Sequence, residues 1–163
     1  MIKQHGFTLL EVMVALVIFS IGLIGLAGLQ GLSMQNNQIA YSRTIATQLV
    51  YDMADRIRNN PTGTYSTASI PGSVPTEDCI TTSSDCSVSQ IANADMWQWK
   101  QTVEDKNSGL VGPQIFISKT GDVYTISIGW NENRDSSVTG TYDCTASPPT
   151  PTGVECVNLE VTP

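Results

Sequence analysis

The chain has 163 residues, with 15 acidic side chains against 8 basic ones, a single histidine and a net charge of −7. That length suits one domain of roughly 100 residues plus a long helix. The charge excludes the basic face that a nucleic-acid binder needs, since from residue 61 onward there are 12 acids and 4 bases.

The first predicted element is an apolar helix. Between residues 7 and 32 the only charge is Glu11, and the run exceeds the roughly 20 residues that cross a bilayer's hydrocarbon core. A cleaved secretory signal would be shorter and would end in a small-x-small site, which this stretch lacks. A plain anchor fits the length but leaves Glu11 unexplained, because an acid there costs about 2.5–3.5 kcal/mol on insertion scales. Gly22, Gly25 and Gly28 interrupt the run, at up to about 1 kcal/mol of helix propensity each against alanine. Residues 33–60 continue the helix as an amphipathic half. Tyr41, Ile45, Leu49, Met53 and Ile57 recur every four residues, flanked by Ala46, Val50 and Ala54, and form the predicted packing stripe, while Gln38, Ser42, Arg43, Gln48, Asp52, Asp55 and Arg56 fill most of the rest. Asn59-Asn60-Pro61 ends it, because the residue before proline avoids the α region.

Residues 61–90, rich in Ser, Thr, Pro and Gly, read as an irregular loop. A second helix is predicted over 91–106, with Ala92, Met96, Trp99 and Val103 on one face and Trp97 pointing elsewhere. Trp99 is assigned to the core. Trp97 is a partly exposed cover or a partner contact. Strands follow over 114–119 and 123–130, joined by a Thr120-Gly121-Asp122 turn, with Tyr124, Ile126, Ile128 and Trp130 alternating. A last strand is placed at 154–161, beyond a segment whose Pro148, Pro149 and Pro151 oppose regular structure. The expected fold is α+β: a long N-terminal helix packed on a small antiparallel sheet head with a second short helix. In domain terms this gives a leader at 1–6, a membrane half at 7–32, an amphipathic half at 33–60 and the head at 61–163.

Cys79, Cys86, Cys144 and Cys156 all lie beyond the apolar helix, and an even number on an exported side argues for two disulfides. Three connectivities are possible; short loop closure favours Cys79–Cys86 with Cys144–Cys156. Metal binding would want CxxC-like spacing or histidine partners, and neither is present. Asn131, Asn133 and Asp135 place oxygen side chains two apart, as calcium loops do, but without the glycine and distal glutamate of an EF-hand. A polar turn is the preferred reading there, and no metal or other cofactor is expected.

Gly6-Phe7-Thr8-Leu9-Leu10-Glu11 resembles the processing signal of type IV pilins and the related type II secretion pseudopilins. The resemblance implies cleavage by a prepilin peptidase after Gly6, N-methylation of Phe7, and Glu11 as the fifth mature residue. Its logic is physically sound: cleavage creates an ammonium on Phe7, and a charge buried in a membrane is tolerable only when matched. Glu11 is the matching charge, for the Phe7 amine of a neighbouring subunit or of its own chain four residues away. The Asp95-x-x-x-Trp99 helix, the Gly109 and Gly112 link and the Tyr124-to-Trp130 strand are similar to a PilV-type minor pilin. So is the anchor stretch Ile21 to Gln30.

That resemblance implies a non-enzymatic subunit. The only histidine, His5, would leave with the leader, which removes histidine-based triads and metal sites. It also implies a bacterial inner-membrane protein with a cytoplasmic N-terminus and a periplasmic head, later built into a surface pilus. Its implied partners are the other minor pilins and the major pilin, with no nucleic acid. The implied role is priming pilus assembly, with a place at the fibre tip. The rivals are a minor pseudopilin of a type II secretion system and a tip adhesin or sensor.

Overall fold

The computed structural model describes residues 6, 8–75, 79, 86–134 and 138–163. The chain divides into two compact units, Met1–Ile39 and Ala40–Pro163. Helix α1, Leu9–Asn59, runs through both.

Within the first unit, residues 12–29 of α1 are apolar on every side apart from Ser20. Leu10, Met13, Ile18, Phe19, Ile24 and Leu29 are all exposed. Its most apolar 18-residue window has a mean hydropathy of 2.6, and none of it is buried. A helix that is apolar all round is matched to lipid or to other helices rather than to water, and this one is long and apolar enough to cross a membrane. The Ser20 hydroxyl donates to the Leu16 carbonyl at 2.7 Å, so the helix satisfies that polar group internally.

In the second unit α1 packs through Ser42, Ala46, Val50, Met53, Ala54 and Ile57. The expected stripe holds in its flanks Ala46, Val50 and Ala54 and at its C-terminal end, but not at its N-terminal end. Met53 and Ile57 are buried, Ile45 and Leu49 are partly covered, and Tyr41 is 52% exposed. A strict every-fourth row advances about 40° per step at 3.6 residues per turn, so five members cannot share one face. The packed row therefore slides by one residue towards its N-terminal end. There the small Ser42 and Ala46 face inward, and Ser42 donates to the Gly109 carbonyl at 3.2 Å.

Helix α2 spans Val88–Glu104 and begins three residues earlier than expected. Ser87 and Gln90 form a capping box: the Ser87 N–H donates to Gln90 Oε1 at 2.8 Å, and the Gln90 N–H donates to Ser87 Oγ at 3.4 Å. Two otherwise orphaned backbone donors are satisfied this way, which fixes the start. The helix stops two residues early because Asp105 turns extended, its carboxylate accepting from the Asn107 N–H at 2.7 Å. Its buried row includes Ala92, Met96, Trp99 and Val103, while Trp97 is partly buried.

Three strands follow: β1 (Gln114–Thr120), β2 (Val123–Asn131) and β3 (Val154–Val161), antiparallel in the order β1-β2-β3. Ile115 and Ile117 of β1 pair with Ile128 and Ile126 of β2, and Leu159 and Val161 of β3 pair with Ile126 and Tyr124. This shared face meets the buried rows of α1 and α2 in one core, with Tyr65 and Leu110. On the opposite face β2 is also covered. The Cys144–Cys156 disulfide and Tyr142 lie over Gly129, where an added Cβ would come within 2.9 Å of Cys144 Sγ. The protein is thus an α+β chain with a long N-terminal helix, a second shorter helix and a three-stranded antiparallel sheet.

Candidate functional site

Two groups of residues carry functional meaning, one in each unit. The first lies at the start of α1. Thr8 caps the helix: its hydroxyl accepts from the Glu11 N–H at 3.3 Å, and its carbonyl accepts from the Glu11 and Val12 N–H groups at 3.1 and 3.3 Å. Glu11 therefore sits three residues inside the helix start, where the positive end of the helix dipole favours a carboxylate. It is the only acidic residue in that first turn. Gly6 is exposed, with nothing within 4 Å of where a Cβ would stand. The expectations for His5 and Phe7 lie outside the described residues. Thr8 is the residue that sequence reasoning passed over, although Thr-x-x-Glu ahead of an apolar run is a legible capping signal.

The second group holds α2 on α1. The Trp99 indole N–H donates to the Leu49 carbonyl at 2.7 Å. Arg56 donates to Asp52 at 3.0 Å, to Gln98 at 2.8 Å and to Asp95 at 3.3 Å, while the Tyr65 hydroxyl donates to Asp95 Oδ2 at 3.0 Å. Asn60, itself buried, donates to the Tyr65 oxygen and to the Val88 carbonyl. The Asp95-x-x-x-Trp99 motif thus presents two anchors one turn apart, both engaged with α1 or with the turn that follows it. Gly109, at φ +80°, belongs to the same packing: an added Cβ would lie 2.8 Å from the Tyr41 ring. Trp97, the candidate partner contact, belongs to neither anchor.

Burial raises the Asp95 carboxyl above the ordinary aspartate value, against the opposing pull of the Tyr65 hydroxyl and the Arg56 charge; Asp52 adds to the rise. Burial also pushes the Tyr65 hydroxyl well up, so it stays a donor. Between the ordinary and the raised values the folded protein keeps a proton on Asp95 that the unfolded chain has lost. The contribution of this group is full below that window and falls as pH rises through it. In urea unfolding, the advantage of the wild type over Asp95→Asn should shrink as pH rises from about 4. A constant difference would show that Asp95 titrates normally.

The cysteines pair locally, Cys79 with Cys86 and Cys144 with Cys156, closing sequence separations of 7 and 12. Among the described residues no group of three His, Cys, Asp or Glu side chains could hold a metal. Asn131, of the calcium candidate, is a buried β2 residue whose N–H donates to the Val111 carbonyl at 2.9 Å. Asn133 lies in the turn after β2, and Asp135 lies outside the described residues.

A capped apolar helix long enough to cross a membrane, continuing into a small α+β head, suits a membrane-anchored subunit. Comparison with known families agrees. The Prokaryotic N-terminal methylation motif matches residues 1–27, and the family Type IV pilin Tt1218 matches residues 28–97. No curated protein and no solved structure gave a match. The chain is a type IV pilin-like protein, a structural subunit with the pilin α+β fold.

Proposed function

We propose that the chain is a minor pilin, cleaved between Gly6 and Phe7 by a prepilin peptidase, N-methylated on Phe7, and held in the inner membrane with its head in the periplasm. It works with other minor pilins to prime a pilus of the major pilin and reaches the fibre tip. The observation that carries this reading is Glu11, a lone carboxylate in the capped first turn of an apolar helix. The cap uses the backbone N–H of residue 11, so the carboxylate is left for an ammonium, the charge that removal of the leader would create on Phe7. Partly buried Trp97 is a second contact candidate, for a sister subunit.

The test is Glu11→Val in a strain lacking the normal copy. Valine keeps the backbone cap, so insertion and cleavage should proceed. Surface pili should fall sharply in number because the neighbour's Phe7 amine is left unpaired. Wild-type piliation would refute the charge pair. Lost protein export with intact pili would identify a secretion pseudopilin instead.

A further inference from the structure

The two edges of the sheet are not alike. At β1, the Thr67 hydroxyl donates to the Ile117 carbonyl at 3.2 Å and accepts from the Ile117 N–H, so a short turn closes the middle of that edge. At its start, Gln114 donates to the Gly140 carbonyl at 2.7 Å and accepts from the Tyr142 N–H at 2.9 Å.

Among the described residues β3 has no such cover. The Glu132 N–H donates to the Gly153 carbonyl at 3.0 Å, which sets the phase of the β2–β3 ladder. Val157, Leu159 and Val161 turn their backbone groups towards β2, opposite Ile128, Ile126 and Tyr124. The residues between them turn outward: the Val154 N–H, for instance, donates away from β2 to the Pro151 carbonyl at 3.1 Å. The N–H and C=O groups of Cys156, Asn158 and Glu160 therefore line the outer edge. Among the described residues no hydrogen bond reaches them.

The side chains beside this edge define what could fill it. Val157 and Leu159 face the core yet stay only partly buried, because the sheet ends at β3. On the other face Glu160 is exposed and forms no ion pair among the described residues; Glu155, at the far end and in phase with Val157 and Leu159, shares Arg43 with Glu132. β3 itself contains no basic residue. A second copy of this chain, with net charge −7, would bring like charge to the same edge.

We propose that the β3 edge accepts an extended strand from a partner protein, with apolar residues at the positions beside Val157 and Leu159 and Lys or Arg at the positions beside Glu160. Main-chain bonds to Cys156, Asn158 and Glu160 would supply affinity, and the alternating side chains would supply selectivity. The inference stands on the sheet edge and does not depend on the pilus reading.

The test is amide hydrogen exchange on the full-length protein in detergent micelles. The probe is a peptide of β3's length, 8 residues, alternating lysine and valine, set against a glutamate–valine counterpart. Without peptide, the amides of Asn158 and Glu160 should exchange fast and those of Val157 and Leu159 slowly. The lysine–valine peptide should slow the first pair at least tenfold, and the glutamate–valine peptide should not. Glu160→Pro removes an outward N–H without touching the β2 ladder, so it should abolish binding at an unchanged melting temperature. Glu160→Lys should reverse the peptide preference. The proposal is overturned if Asn158 and Glu160 are protected without peptide, if neither peptide slows them, or if Glu160→Pro binds as well as the wild type. It is also overturned if the chain dimerises through this edge, which would make a second copy the occupant. Should Glu160→Pro unfold the head, the reversal by Glu160→Lys decides the matter.

Discussion

Trp99→Ala should cost the head about 3–5 kcal/mol, the range for truncating a buried large aromatic. Trp99 has no exposed surface, and its indole N–H bonds to the Leu49 carbonyl at 2.7 Å. It therefore fills the space between α2 and α1 and pins the two together. Small domains are stable by only about 5–15 kcal/mol, so the variant should lose a large share of the head's stability. Trp99→Phe keeps most of the volume and loses the hydrogen bond, a smaller cost of about 1 kcal/mol before repacking. Trp97→Ala should change stability by less than Trp99→Ala, because Trp97 lies roughly 160–200° around the helix and is only partly buried. Urea unfolding of the three variants beside the wild type gives the comparison. Equal losses for Trp97→Ala and Trp99→Ala would mean that both indoles share the core.

Gly6→Asp should abolish processing. Gly6 is open on every side, with no atom within 4 Å of the place a Cβ would take, so the substitution leaves the chain's own packing untouched and acts on the fit of the peptidase. Under the proposed processing the precursor should stay in the membrane at full length, with the Phe7 amine never formed and Glu11 without its partner. The measurement is the intact mass of the wild type and of the variant from membranes. A wild-type N-terminus far from Phe7, such as one after Ala27, would overturn the proposed cleavage. Normal removal of the leader from Gly6→Asp would overturn the requirement for glycine.

Much of this molecule is local and therefore legible in the chain. The apolar length of α1 and the isolation of Glu11 are properties of consecutive residues. So is the alternation of Tyr124, Ile126, Ile128 and Trp130, because a strand sends every second side chain to one face whatever it packs against. The starts of β1, β2 and β3 come out at the expected residues for that reason. The Ser87–Gln90 capping box and the Thr8–Glu11 cap are equally local, but they are signalled by two polar residues at fixed spacing rather than by hydrophobicity.

Other features depend on what each element meets. Which residues of α1 turn inward at the N-terminal end of its packed stretch was decided by the core, where Ser42, expected on the polar face, is buried and Tyr41, expected in the stripe, is exposed. Asp95 gains its meaning from Arg56 and Tyr65, 39 and 30 residues away in sequence. The open β3 edge is likewise a property of strand order. The sequence by itself determined a membrane-matched helix with one acid and a small α+β head, because periodicity and hydropathy act between near neighbours. Only the tertiary structure decided which surfaces are closed and which remain free, because that depends on contacts between residues far apart in the chain.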